Sequence, residues 1–184
     1  LNYKNELKKC GSVLYQINQY WEFIDIDVNN SDEFEYLEQE LNISKKILKL
    51  HSGFWINNMD LESNYTKLSD IEQKQINIQI DNQIDKNYTF ISNGMRLAKL
   101  NELCAKSEGG NLFNNSLVII DEVHNLISTI VNNRPKGLRL YELLLEAKNV
   151  KIVLLTGTPI INYPHEVSII SNILRGLIVE YTIK

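Results

Sequence analysis

The stretch Leu117–Ser128, LVIIDEVHNLIS, sets two acids and a histidine, Asp121, Glu122 and His124, where an apolar run stops. The run before them reads as a strand, so the carboxylates stand at its carboxyl end. In parallel α/β sheets, ligands bind outside those ends. Hydrolysis of a nucleoside triphosphate needs a carboxylate near Mg2+ and a second group to orient the attacking water. Asp121 suits the first task, holding the metal mostly through water because Mg2+ keeps much of its hydration shell. Glu122 suits the second, as general base or water positioner. A plainer account also fits: acids at a solvated strand end favour the start of the following helix.

A second apolar run, KIVLLTG, leads into Thr156, Gly157, Thr158 and Pro159. This TGTP sequence reads as a tight turn at another carboxyl end. If the two strands are neighbours, its hydroxyls lie beside Asp121 and His124 and can bond to the acids or the imidazole. By itself TGTP is an ordinary strand-to-loop turn. Two such ends in one chain favour a shared site.

The elements that must position these residues follow from periodicity. Asn2–Ile17 reads as a helix broken near Gly11. YWEFIDIDV suits a short strand. Ser31 is placed to cap an acidic helix with Phe34, Leu37 and Leu41 on one face, and Ser44 to cap another through Leu50. Asn57–Tyr65 is polar and loop-like. SDIE at Ser69–Glu72 is a capping box, opening a helix in which Ile76, Ile80 and Ile84 recur every fourth residue. Asn87–Ser92 suits a strand, and a helix runs from Met95 to about Lys106. SEGGNLFNN is a turn-rich connection. SLVIID and KIVLLTG are continuous apolar runs, as expected for strands buried on both faces of a parallel sheet. VHNLISTIV, GLRLYELLLEAKN and PHEVSIISNILRG are helical, and LIVEYTI is a last strand. Strands and helices alternating at short spacing predict a right-handed α/β sheet.

The chain has 184 residues, 43% of them hydrophobic and 23% charged, so it can bury a real core. A net charge of −4 gives it no global basic field, and nucleic-acid contact would need a local patch. Lys4, Lys8 and Lys9 form one such cluster, equally readable as an exposed helix face. Cys10 and Cys104 lack metal-like spacing and read as reduced thiols. His51 and His165 read as surface residues. No apolar stretch is long enough to span a membrane. The chain opens on leucine in mid-pattern, so a piece of a larger protein is expected.

VIIDEVH together with VLLTGTPIINYPHE resembles the ATPase core of superfamily 2 helicases and translocases. DEVH is similar to the DExH form of motif II, and TGTP to motif III in its Swi2/Snf2-type spelling. LNYKNELKKCG, YWEFI and the run from Arg139 to Gly176 are similar to the helicases and transcription ATPases of nucleocytoplasmic large DNA viruses. These include the giant-virus relatives of the poxvirus nucleoside triphosphatase and early transcription factor large subunit. The likeness is dense from about Asn114 onward and thinner before it.

The resemblance implies a fold and a set of roles. The fold is α/β, part of the first RecA-like lobe: a parallel sheet flanked by helices, with a helical insertion. Residues 1–30 follow motif Ia, 31–86 are the insertion, and 87–184 are the core with DEVH and TGTP. The cofactors are ATP and Mg2+, the metal held through water by Asp121, with Glu122 activating water. His124 links the nucleotide site to motif III, where Thr156, Gly157, Thr158 and Pro159 relay nucleotide state. Val123 stands where alanine is common. Asn2 and Lys4, beside the tail of motif Ia, would meet DNA or RNA. Viral RNA polymerase or transcription-factor subunits are possible partners, in host cytoplasm or virion, without a membrane.

One departure from the family is serious. The chain has no G-x-x-x-x-G-K-[ST] sequence, and SEGGNL lacks the Lys-Ser/Thr that would follow the glycines. Without the phosphate cradle and an arginine in trans, the isolated chain is expected neither to bind ATP tightly nor to hydrolyse it. The alternative is a non-enzymatic transcription or assembly factor that keeps the lobe as a protein-binding scaffold.

Overall fold

Ile76, Ile80 and Ile84 lie one helical turn apart, and all three side chains are fully buried on one face of α4 (Asp70–Asn87). Burial of each is worth about 1.5–3 kcal/mol relative to exposure. The helix starts where the capping box places it. Ser69 Oγ accepts the Glu72 backbone N–H, and the Glu72 carboxylate accepts the Ser69 N–H at 2.8 Å. That bonding holds the Glu72 carboxyl below its usual range.

The computed structural model describes residues 3–27, 31–158 and 164–176. The chain forms two units, Leu1–Phe90 and Ile91–Lys184. In the first, the α4 stripe packs on Tyr15, Trp21 and Trp55. Trp21 and Trp55 come from β1 (Tyr20–Asp25) and β2 (Gly53–Asn58), an antiparallel pair with Phe23 opposite Trp55. Helices α1 (Tyr3–Cys10), α2 (Ser31–Glu40) and α3 (Lys45–His51) complete the unit. Residues 1–30 and 31–86 are therefore joined by a strand pair, and the segment expected to be a helical insertion also contributes β2. GFWINN carries no strand signal, with an apolar start, a polar end and no alternation.

Two amides bond to the ribbon's outer edges, one on each strand. Gln79, buried on α4, accepts the Trp55 N–H at 2.9 Å and donates to its carbonyl at 2.7 Å. Asn64 does the same for Trp21, at 2.8 and 2.9 Å. At that one residue of each strand the side chain takes the place of a further strand's backbone.

Other expectations need correction. Asn87–Ser92 is not a strand: α4 runs through Asn87, and the residues after it pair with no strand. They are held instead by ring packing, Tyr88 edge-on to Tyr15 and stacked on Phe90. Ser31 is the first residue of α2, and Ser44 stands at the α3 N-cap position without a side-chain capping bond. Leu37 is buried and Leu41 packs beside it, while the Phe34 side chain lies outside the described residues. His51 is half-buried rather than surface-lying. Its Nε2 has no hydrogen-bond partner, and burial pushes its pKa down.

The second unit holds a parallel pair, β3 (Leu117–Asp121) and β4 (Lys151–Leu155), with Leu117 opposite Lys151 and Asp121 opposite Leu155. The crossover carries two helices, α6 (Val123–Val131) and α7 (Pro135–Glu146). They approach closely at Gly137, where a Cβ would fall 2.4 Å from Thr129 Oγ1. Helices α5 (Leu97–Lys106) and α8 (Glu166–Arg175) supply Leu100, Cys104 and Ile173 to a core shared with Phe113, Leu143 and Leu144. On α5, Lys106 and Lys99 hold the Glu102 carboxyl down to about 2. At the entry to the strands, Lys148 N–H donates to Asn114 Oδ1 at 2.9 Å and Asn115 N–H to the Lys148 carbonyl at 3.0 Å, fixing the register.

Among the described residues one face of the sheet is covered. Val118, Ile120, Ile152 and Leu154 pack into the core, whereas Leu117 and Ile119 are 62% and 57% exposed and Val153 and Leu155 also face outward. Burial on both faces, expected from the continuous apolar runs, is thus not seen among the described residues. The expected last strand, 177–183, lies outside them. No helix among them is long and apolar enough to cross a membrane.

Two measurements check this packing. Gln79→Leu leaves the buried N–H and carbonyl of Trp55 unpaired and is expected to destabilise the chain by about 2–4 kcal/mol, read by denaturant unfolding. Ile120→Ala is expected to cost about 1–3 kcal/mol and Ile119→Ala under about 0.5 kcal/mol. Equal costs would contradict the one-sided sheet.

Candidate functional site

Because β3 and β4 are parallel and end on the paired residues Asp121 and Leu155, the chain leaves the sheet at one level in both places. Glu122 and Thr156 are the next residues. Glu122 adopts a left-handed backbone, φ 49° and ψ 52°, at the N-cap position of α6. Its N–H donates to Asp121 Oδ1 at 3.0 Å, and its carbonyl accepts the Asn125 N–H at 2.9 Å. The strand is thereby turned into the helix within one residue. Buried Val123, Ile127 and Ile130 anchor that helix.

This turn brings His124 over the second strand end. Its Nδ1 lies 3.1 Å from Glu122 Oε2, 3.1 Å from Thr156 Oγ1 and 3.3 Å from Thr158 Oγ1. Thr156 Oγ1 also accepts the Thr158 N–H at 3.1 Å, which ties the turn into a ring around Gly157. The His124 side chain is 21% exposed, so one imidazole nitrogen is largely withdrawn from water among three oxygens. Glu122 is 52% exposed and faces outward to solvent as well as to the ring.

Of the residues singled out in the sequence, Asp121, Glu122, His124, Thr156 and Thr158 therefore meet at one sheet end, with Gly157 between the threonines. Pro159 and Asn2 lie outside the described residues. Lys4 is elsewhere, in the first unit, and pairs with Asp85 at 2.5 Å. Lys8 is nearly buried and pairs with Asp81 at 2.9 Å and Asn77 at 3.1 Å, while Lys9 pairs with Glu6. The expected basic cluster is thus neutralised within its own unit. His165 is exposed at the start of α8.

The glycines of SEGGNL lie at the other end of the sheet. They form a short 3-10 turn, Glu108–Gly110, whose Glu108 carbonyl accepts from Asn114 just before β3 begins. They cannot cradle a phosphate beside Asp121. The contact of Glu122 with His124 had no sequence signal, because it depends on the backbone conformation at Glu122.

Among the described residues no group of three or more His, Cys, Asp or Glu side chains could hold a metal ion. The Asp121 carboxylate, at the carboxyl end of β3, has the oxygen chemistry that Mg2+ takes together with water and substrate phosphates.

No family model matches the chain, and no solved structure does. Curated proteins match it in part. The termination factor NPH-I homolog of African swine fever virus is 41% identical over 73 residues, 38% of this chain and 10% of that protein. Two proteins of Acanthamoeba polyphaga mimivirus, provisionally named ATP-dependent RNA helicases, are each 38% identical. One match covers 56% of this chain and 17% of the mimivirus protein, the other 33% and 8%. The chain spans at most about a sixth of the length of these relatives. Over the stretches it shares with them, it is related to viral helicase and termination-factor proteins.

Proposed function

We propose that this chain is part of the ATPase motor core of a viral DExH-type superfamily 2 helicase or translocase, and that its second unit is part of a RecA-like lobe. The supporting observation is the convergence of Glu122, Thr156 and Thr158 on His124 Nδ1, within 3.1–3.3 Å. A carboxylate at one strand end and a hydroxyl-bearing turn at the next are joined there through a single imidazole. A change at either end must be felt at the other.

In this reading Asp121 would hold Mg2+ through water, and the metal would supply charge neutralisation for the phosphates. Glu122 orients water and accepts its proton, a role its exposed carboxylate permits. His124 is a positioning residue that transmits the state of the carboxylate to Thr156 and Thr158. From this turn the signal passes to nucleic acid, DNA or RNA. Contacts by Asn2 and Lys4 are a weaker part of the reading, since Lys4 must first give up Asp85. The work would be viral transcription or DNA handling, in host cytoplasm or virion, with polymerase or transcription-factor subunits as partners.

The chain carries no lysine-bearing phosphate loop, so by itself it is expected to release no phosphate from ATP. Hydrolysis by the isolated chain that disappears in Glu122→Gln would overturn that expectation. In a longer protein that includes the phosphate loop, Glu122→Gln should lower kcat by about 10²–10⁴-fold, the range for a positioned general base. His124→Ala should there weaken stimulation by nucleic acid more than it weakens ATP binding. Equal, nucleic-acid-independent rates in the parent and Glu122→Gln proteins would defeat the motor reading.

A further inference from the structure

Six residues other than glycine have a left-handed backbone among the described residues: Asn42, Ser52, Asn115, Glu122, Asn133 and Asn149. Four are asparagine, whose short polar side chain tolerates this conformation. Glu122 is the only charged and the only long side chain of the set. Its side chain is half-exposed, so the core does not require it. The fold alone would be better served by glycine or asparagine at this turn.

The unfavourable backbone has a chemical consequence. An ionised carboxylate only accepts hydrogen bonds, while a threonine hydroxyl can donate or accept. Nδ1 carries one proton or one lone pair. With Glu122 Oε2 at 3.1 Å, Nδ1 must be the donor, and the hydroxyls of Thr156 and Thr158 cannot donate to it at the same time. Without the carboxylate, either hydroxyl can donate to a bare Nδ1, and the ring proton moves to Nε2.

We propose that the left-handed turn at Glu122 is a strained positioning device: it holds the carboxylate against His124 and thereby fixes the imidazole as the Nδ1–H tautomer, leaving Nε2 bare as an acceptor. The reason for keeping the strain rests on Glu122 being the working carboxylate. The tautomer and the strain themselves are measured without any activity, so their failure is distinct from failure of the motor reading.

Two experiments on the 184-residue chain test it. Glu122→Gly and Glu122→Ala both remove the carboxylate and differ in their tolerance of positive φ. The glycine variant is expected to melt about 2–4 °C above the alanine variant, and Glu122→Asn also above it. A glycine variant that melts at or below the alanine variant would remove the strain. Second, nitrogen-15 NMR of the neutral ring, assigned by its loss in His124→Ala, is expected to show a protonated Nδ1 in the parent chain. The proton should lie on Nε2 in both Glu122→Gly and Glu122→Ala. A bare Nδ1 in the parent, or a tautomer unchanged in both variants, would overturn the positioning role.

Discussion

The parallel register of β3 and β4 is the constraint on which the candidate site depends. Asp121 stands opposite Leu155, so Glu122 and Thr156 leave the sheet together. A slip of one residue would move every inward side chain of one strand to the open face. It would also part the carboxylate from the threonines. Register is therefore held at both ends. At the entry, Asn114 and Asn115 bond to the backbone of Lys148 and Asn149 donates to Asn115 at 3.0 Å. At the exit, His124 bridges to Thr156 and Thr158. The entry bonds use short amides suited to left-handed turns, and the exit bonds use groups with chemistry.

Helical elements were the most legible part of the sequence. Ile76, Ile80 and Ile84 name the buried face of α4, and Ser69 with Glu72 names its first turn, because both signals are local. Both strand ends of the site were legible for a similar reason, an apolar run cut short by polar residues. What failed was non-local. Gly53–Asn58 is a strand because Tyr20–Asp25 lies beside it and Gln79 satisfies its other edge. None of that is visible in GFWINN. Asn87–Ser92 has a strand's composition and no strand to pair with. The apolar runs of β3 and β4 showed how much of each strand is oily, and the packing of α5, α7 and α8 decided which face is covered.

The two units treat their sheets in opposite ways. The antiparallel ribbon of the first is bonded on each edge by a buried or half-buried amide, at Trp55 and Trp21, and covered by aromatic and isoleucine side chains. Polar partners there serve order, and even Lys8 is consumed by Asp81 and Asn77. Among the described residues the parallel pair of the second leaves four apolar side chains outward and has polar partners at both ends, amides at the entry and the imidazole with its oxygens at the exit. A fold optimised for stability alone would not spend a charged, half-exposed glutamate on a left-handed turn.

That glutamate also explains why Asp121, Glu122 and His124 are joined by contacts rather than standing as three separate polar residues. In a continuous helix, residues two apart point about 200° from each other, and Glu122 could not touch His124. The positive φ at Glu122 breaks the helix just before it starts and folds the carboxylate back along the first turn. Asp121 supports the break by accepting the Glu122 N–H at 3.0 Å. Val123 then begins α6 and is buried, which fixes the helix and with it the ring of His124. Each position contributes a different physical element: an acceptor for the strained amide, the strained carboxylate, an apolar anchor and the shared imidazole. Their order along the chain follows from that division, since the anchor must separate the carboxylate from the ring it faces.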